Sequence, residues 1–539
     1  MAAQLLDMFA FLSVLLRAGA LGLTSLVLGG IAFLTIVRPA GPALAAVRRM
    51  VFGSAVMLAL VQAVYVTADS TVLAATAGLH LSELAGAGFF LAGLASVCAA
   101  VTIAIFSSRV SRQPGRGGIL LIAAGVAWGA LVFTSHAAGR LEHRTGLMLL
   151  TALHQGATAT WIGGLPYLLL ALRRCGEDLE AARLCRRFSR LAIWAVGLLV
   201  LSGVVLSKVY VGSVAALYGT SYGAMVAAKV LLLAMVLGLG GVNFLILRRP
   251  VASSRLIFNL RRFAEAEAGI GFTIILLAAS LTSQPPASDL PTPPVRADEI
   301  AQRMHPRWPR METPPLSTLS PATPLEFGGS GQTSEGLMSF VPGTSYKPST
   351  PGDIAWSEYN HHWAGLIVLA AGILAVLARW SRAKWARHWP LAFLGLAVFL
   401  FLRADPENWP LGPRSFWQSF AVPDVLQHRL FVLLIVAFAG FEWAVRTGRI
   451  VSEYAALVFP AVCALGGALL VTHTHALSNL NEELLVELSH LPLAIFAVAA
   501  GWSRWLEIRL AGPQRRVVGW VWPICFVLIG AVLVNYREA

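Results

Sequence analysis

The chain has 539 residues, of which 57% are hydrophobic and only 13% are charged, and its mean hydropathy is +0.70. Because soluble domains carry about 25% charged residues, this composition excludes an ordinary soluble protein and a disordered one. The formal net charge of +14 comes largely from arginines in short segments beside apolar runs, so it indicates membrane topology and argues against nucleic-acid binding.

Apolar segments recur along the whole chain, and a membrane-spanning helix needs about 20 such residues. We predict fourteen transmembrane helices, at residues 10–37, 51–68, 84–106, 118–135, 145–172, 189–212, 222–247, 268–284, 360–379, 388–403, 424–446, 452–474, 485–507 and 516–535. The segment at 388–403 is the shortest of them. The predicted fold class is an all-α polytopic membrane protein with two bundles, of eight and six helices.

Basic residues alternate between successive loops. Arginines follow the first, third, fifth and seventh predicted helices, among them Arg48, Arg112, Arg187 and Arg261. By the positive-inside rule these loops are cytoplasmic. The alternation continues in the second bundle, so both termini are predicted to face the outside of a bacterial inner membrane.

Residues 285–359 interrupt the pattern of apolar segments, because they hold 14 of the 28 prolines and little apolar periodicity. We predict a largely irregular, Pro-rich extracytoplasmic linker here. It separates an eight-helix domain at 1–284 from a six-helix, His-rich domain at 360–539.

The cysteines exclude thiolate chemistry at the outer face. Cys98, Cys463 and Cys525 fall inside predicted helices, whereas Cys175 and Cys185 lie in a predicted cytoplasmic loop. No pair is placed to form an extracytoplasmic disulfide. A metal site on that side must therefore use imidazole, thioether or carboxylate ligands.

Eleven of the twelve histidines are predicted on the extracytoplasmic side, mostly at the outer ends of helices. Neutral imidazole is a common metal ligand, and polar groups inside a membrane are costly unless they face a site or cavity. A single interfacial histidine is more often a helix cap or a lipid-facing polar residue than a ligand, so the hypothesis depends on several histidines converging. The candidate ligands are His136, His143 and His154 in the first domain, and His361, His362, His428, His473, His475 and His490 in the second.

The sharpest local motif runs from His154 to Pro166 in the fifth predicted helix. His154, Thr158 and Trp161 are spaced i, i+4, i+7 and share one helix face, while the small residues between them permit close helix packing. The spacing fits a metal ligand on an interior face. It fits a packing motif with a hydrogen-bonded histidine equally well.

In the second domain, His473 and His475 could chelate a metal if the backbone there is extended, because i and i+2 side chains share a face only in extended chain. Glu483, Glu487 and His490 follow at helical spacing. These residues form a candidate metal-gathering cap. A solvated polar rim is the alternative interpretation.

The sequence resembles the CopD family of copper-resistance membrane proteins. The resemblance lies in the segment His154–Pro166, in Arg187-Phe188-Ser189, in the helix around Gly203, and in Tyr222-Gly223 followed by Lys229. It covers about residues 120–250 and, more loosely, the whole first domain. It implies copper uptake or tolerance at the inner membrane, beside a periplasmic copper-binding protein.

We predict a copper-binding and copper-importing protein of the inner membrane rather than an enzyme. The sequence has no nucleotide-binding loop of the GxxxxGK[ST] type, so ATP-driven pumping is not expected. A cation entering a negative cytoplasm gains about 2.3 kcal/mol per charge per 100 mV, which favours the inward direction.

Two alternatives stay open at the level of the sequence. Histidines on neighbouring helices could ligate haem b in an electron-transfer protein. Alternatively, the protein could be a copper chaperone or oxidase-assembly scaffold that binds copper at the outer face without transporting it.

Overall fold

A computed structural model describes residues 2–78, 80–109, 116–176, 178–248, 254–319, 350–380, 382–420, 423–473 and 480–538. These residues form helices and connecting turns, with no β-strand among them. Eleven helices within the described ranges are long and apolar enough to cross a membrane. The protein is therefore an all-α, multi-pass membrane protein.

The helices of the first half are α1 (Ala2–Ala32), α2 (Gly41–Ala77), α3 (Gly88–Arg109), α4 (Arg116–Phe133), α5 (Arg144–Trp161), α6 (Leu165–Leu172), α7 (Asp178–Tyr210), α8 (Ser221–Leu247) and α9 (Ser254–Leu281). Those of the second half are α10 (Pro351–Leu377), α11 (Ala392–Arg403), α12 (Pro423–Arg446), α13 (Val458–His473), α14 (Leu480–Arg509) and α15 (Val521–Val534). Each predicted span corresponds to one of these helices or, at 145–172, to two. The count of fourteen membrane crossings remains a prediction.

The predicted span at 145–172 is broken into α5 and α6. The two helices are separated by a turn at Ile162–Gly164, and Pro166 stands in the first turn of α6. A side chain at Gly163 would collide with the backbone of Ser25 in α1, and one at Gly29 would collide with the turn. Glycine is therefore required at both positions, because the two backbones touch there.

Several predicted helix starts were too late, among them those of α2 (Gly41 rather than 51), α7 (Asp178 rather than 189), α9 and α10. Helix α9 begins at Ser254 rather than 268, because the charges that lower its hydropathy are partnered: Arg262 Nη1 lies 2.5 Å from Glu265 Oε1. Helix α10 begins at Pro351 rather than 360, where Thr350 and Asp353 form a capping box. Residues 351–359 thus belong to a helix and not to the linker.

The two halves pack directly against one another. Helix α14 lies against α8 and α9, and Trp502 occupies the space that a side chain at Gly269 would take. At one end of this contact Trp505 Nε1 donates to Glu265 Oε2 at 2.9 Å. At the other end the amide of Gln284 donates to Glu487 Oε1 at 3.2 Å. Partnered polar groups therefore join the halves at both ends of the contact.

The described part of the linker, residues 285–319, contacts both halves: the Val295 N–H donates to the Gly219 carbonyl of the first half at 2.9 Å, and later residues contact the second half. The Met311 carbonyl accepts a hydrogen bond from Trp363 Nε1 at 3.2 Å, and the Met304 carbonyl accepts one from Asn535 at 3.4 Å. Within this part, Ala297–Arg303 forms one short helix, and Ala287–Asp289 and Leu316–Thr318 form single 3₁₀ turns. The domain-joining role of the linker remains a proposal.

Candidate functional site

Two of the predicted ligands of the second half converge on a third ring. His361 of α10 and His490 of α14 have ring centroids 5.9 Å apart, with their planes at 87°. Tyr536, just after α15, stacks on His361 at 3.8 Å and meets the edge of His490 at 5.7 Å. Three helices of the second half thus bring two imidazoles and a phenol together.

Backbone carbonyls fix the tautomers of both imidazoles. His361 Nδ1 lies 2.8 Å from the Ser357 carbonyl oxygen, and His490 Nδ1 lies 2.8 Å from the Val486 carbonyl oxygen. Because a carbonyl oxygen only accepts, each Nδ1 carries the hydrogen and each lone pair is on Nε2. Metal-binding histidines commonly have this arrangement, in which a backbone carbonyl orients the ring.

His362, next along α10, is fully buried and points to different partners. Its Nδ1 accepts from the Arg310 backbone N–H at 2.8 Å, and its Nε2 lies 3.1 Å from the Tyr536 carbonyl oxygen. Arg537 donates to the same carbonyl at 2.8 Å. Both nitrogens of His362 are therefore engaged in fastening the linker and the chain end to α10.

His428 has a different partner, the carboxylate of Asp405. Its Nδ1 lies 2.7 Å from Asp405 Oδ1, and its side chain is 45% exposed. Helix α13 ends at His473, whose side chain lies outside the described residues, as does His475 altogether. The predicted His473–His475 chelate therefore stays a prediction.

In the first half, His154 of α5 is oriented by a serine of α7. Ser202 Oγ donates its hydrogen to the Leu198 carbonyl at 2.6 Å, so it accepts from His154 Nδ1 at 3.1 Å. This bond places the lone pair of the imidazole on Nε2. Gly203 lies beside the ring, where an added side chain would press on His154 Cε1 at 3.2 Å. His154 is therefore hydrogen-bonded, as the packing interpretation of the motif requires. Its Nε2 lone pair is also the one that a metal ligand would use.

The other predicted ligands of the first half have different surroundings. His136 stands in a short helix outside the spans, with its ring centroid 6.3 Å from that of Tyr210. Burial, and then the nearby Arg17, hold the pKa of His136 below its usual value. His143 is exposed, in the left-handed conformation (φ 52°), just before α5.

Within the described ranges, no three histidine, cysteine, aspartate or glutamate side chains come close enough together to hold a metal ion. The structure therefore brings together one pair, His361 and His490, and leaves His154 as a single imidazole. Nothing in it joins His136 or His143 to His154.

Two polar groups were not predicted as site residues from the sequence, one beside His361 and one inside α9. Tyr536 lies outside the last predicted span, and no spacing rule connects it to His361. Glu267 is 4% exposed inside α9, where the Asn243 amide donates to its carboxylate at 2.8 Å. The signal for Glu267 was a carboxylate between apolar residues, and it was lost because the span was predicted to start at 268.

Comparisons with known proteins locate a family within the first half. A family model described as copper resistance protein D matches residues 182–281. The copper transport protein CutJ of Bacillus subtilis (strain 168) is 33% identical over 173 residues, which is 32% of this chain and 30% of the relative. The alignment thus covers less than a third of that relative. No solved structure matches the chain.

The family match is shifted toward the C-terminus relative to the predicted 120–250. It includes Ser202, Gly203 and Lys229, begins after His154, and ends before the linker. The pair His361 and His490 therefore lies in a part of the chain to which the family model does not extend. The first half contains a CopD region, and the resemblance to the CopD family predicted from the sequence is confirmed.

Proposed function

We propose that this protein captures copper at the outer face of a bacterial inner membrane and carries it toward the cytoplasm. The observation that carries the proposal is the His361–His490 pair, in which two imidazoles from separate helices converge with both Nδ1 atoms tied to carbonyls. The CopD match supplies the identity of the metal.

The spacing of the two rings fits a single ion bound between two nitrogens. An imidazole nitrogen lies about 2 Å from a bound transition metal, so two rings on opposite sides of one ion have centroids about 6 Å apart. The observed separation is 5.9 Å. Two neutral nitrogen ligands suit Cu(I), which accepts two-coordinate geometry.

Haem b fits this place less well than an ion. A porphyrin extends several ångströms beyond its iron on every side, and the Tyr536 ring lies against both imidazoles. Haem would have to displace Tyr536, whereas a single ion would not.

The direction follows from energetics rather than from geometry. A monovalent cation moving inward gains about 2.3 kcal/mol per 100 mV of membrane potential, so import requires no ATP.

In the first half, His154 is the second candidate ligand on the route. The remaining predicted ligands, including His136, His143, His362, His428, His473 and His475, stay proposals of lower priority. A periplasmic copper-binding protein is the proposed donor.

Copper uptake into proteoliposomes tests the proposal. Purified protein is reconstituted with an inside-negative potential, and Cu(I) entry is followed by a trapped chromophoric chelator. We expect uptake by the natural chain and its loss in His361→Ala, with His305→Ala as the control because His305 is an exposed linker residue beside the Pro306 carbonyl. Binding without entry would replace transport by the chaperone function, and a Soret band in the purified protein would replace copper by haem.

A further inference from the structure

A cavity of about 1000 Å³ lies between α1, α2, α3, α4 and α5, and its lining includes Ser135 and Gln155, the chain neighbours of His136 and His154. Its walls are mostly apolar, with Leu21, Val66, Phe89 and Val126 among them. Polar side chains enter it at a few places. The larger ones among them are Arg17, Gln62, Tyr65, Asp69, Arg144 and Gln155.

The charged groups in this cavity are of both signs. Arg17 donates to the carbonyls of Thr134 and Thr282, at 3.2 and 3.3 Å, and so is fixed at the ends of α4 and α9. Asp69 of α2 lines the same cavity as Arg17. Arg144 adds a second cation at the first residue of α5. The cavity therefore presents separate positive and negative groups on apolar walls.

One polar atom of the cavity lacks a partner. Gln155 Oε1 is buried and has no hydrogen-bond partner among the described residues. A buried amide oxygen without a donor costs about 1–3 kcal/mol, so the site favours a ligand that brings an N–H group.

The cavity opens sideways toward the lipid. A second groove between α4 and α5, of about 610 Å³, shares Gly129, Phe133 and Arg144 with it. Phe133 is 60% exposed and Leu91, in the cavity wall, is 52% exposed, so apolar side chains border the opening on the outer surface of the bundle. An acyl chain in the groove would continue into the cavity beside Gly129.

We propose that this cavity binds the headgroup of an aminophospholipid from the membrane leaflet, between Arg17 of α1 and Asp69 of α2. The phosphate pairs with Arg144 and Arg17, and the primary ammonium donates to Asp69 and Gln155. One acyl chain lies in the groove between α4 and α5.

Charge complementarity selects this occupant over simpler ones. A plain anion is repelled by Asp69, and a metal cation is repelled by Arg17 and Arg144. A zwitterion satisfies both signs at once, and the apolar walls favour one attached to a hydrocarbon chain. The inference is independent of the copper function.

Lipid methylation tests the ammonium contact directly. The full-length protein is placed in nanodiscs of phosphatidylethanolamine, its mono- and dimethyl forms, or phosphatidylcholine, and lipid retained after detergent extraction is measured by native mass spectrometry. Each methyl removes one N–H donor, and phosphatidylcholine has none. We expect retention to fall along the series, by about tenfold overall, which corresponds to about 1.4 kcal/mol. Equal retention of phosphatidylcholine would overturn the proposal.

Two pairs of variants locate the site. Asp69→Asn should abolish the preference for phosphatidylethanolamine, whereas Asp289→Asn should keep it, because Asp289 pairs with Arg140 outside the cavity at 2.8 Å. Gly129→Leu should block the opening. An added side chain there meets nothing within 4 Å, and Gly53→Leu on α2 is the matched control with equal space. Unchanged lipid retention in both Asp69→Asn and Gly129→Leu would place the lipid elsewhere.

Discussion

The two halves of the chain present their histidines differently. In the first half one imidazole, His154, is oriented by the Ser202 hydroxyl at 3.1 Å and stands without a second imidazole. In the second half two imidazoles, His361 and His490, approach to 5.9 Å and are oriented by carbonyls of their own helices. The CopD match covers part of the first half alone. The family match and the converging pair of imidazoles thus lie in different halves. This division suits the proposal that the second half captures copper and the first half passes it on.

The largest expected effect concerns the pair in the second half. His361→Ala and His490→Ala should each lower Cu(I) affinity by more than about a hundredfold. Losing a group that only orients a ligand costs up to about a hundredfold in metal affinity, and each of these variants removes a ligand itself. The double variant should be little worse than either single one, since one lost ligand already destroys a two-ligand site. Competition with a chromophoric Cu(I) chelator measures all three. Additive losses would mean that the two histidines serve separate sites.

A smaller effect is expected in the first half. His154→Ala should abolish copper-dependent growth effects while leaving Cu(I) affinity at the second half unchanged. Ser202→Ala should weaken the same growth effect by about tenfold, because it removes only the group that orients the ring. Growth on graded copper, with protein levels matched by immunoblot, measures both. Wild-type growth of the His154 variant would remove that residue from the route.

How much of this the sequence could predict depends on the range of the forces involved. The helices follow from apolar length, which is local, and each predicted span corresponds to helix in the structure. The starts of α9 and α10 were missed because partners such as Glu265 and the Thr350 cap decide whether charged residues stay helical. Such partners are identified from the packing of the folded chain, and hydropathy along the sequence does not show them.

The candidate site shows the same limit more strongly. Placement at helix ends selected both His361 and His490, but it selected His362 and His428 equally. Only packing separates them, because His362 uses both nitrogens on the linker and the chain end, while His428 pairs with Asp405. Tyr536 could not be found from spacing at all, since its contact with His361 joins residues far apart in the sequence.

His362 tests whether packing distinguishes structural histidines from copper ligands. Its replacement should change the stability of the protein and leave copper binding unchanged. His362→Ala removes the acceptor of the part-buried Arg310 N–H together with the Nε2 contact to the Tyr536 carbonyl, and each such hydrogen bond contributes about 0.5–1.5 kcal/mol. We expect a lower thermal unfolding midpoint in detergent and unchanged Cu(I) affinity. A loss of affinity equal to that of His361→Ala would make His362 a ligand after all.

The smallest expected effect is the pH dependence contributed by His136. Burial and the Arg17 charge lower the pKa of His136 in the folded protein from the ordinary value of 6.5. The unfolded chain therefore binds a proton that the folded chain does not, once the pH falls below about 6.5, and stability decreases as the solution becomes more acidic. His136→Phe keeps a ring beside Tyr210 but removes the titration, so the difference between unfolding midpoints at pH 7.5 and pH 5.5 should shrink. His143→Phe is the matched control, because His143 is exposed. An equal pH dependence in the natural chain and in His136→Phe would contradict this prediction. It would show that His136 takes up its proton as readily in the folded protein as in the unfolded chain.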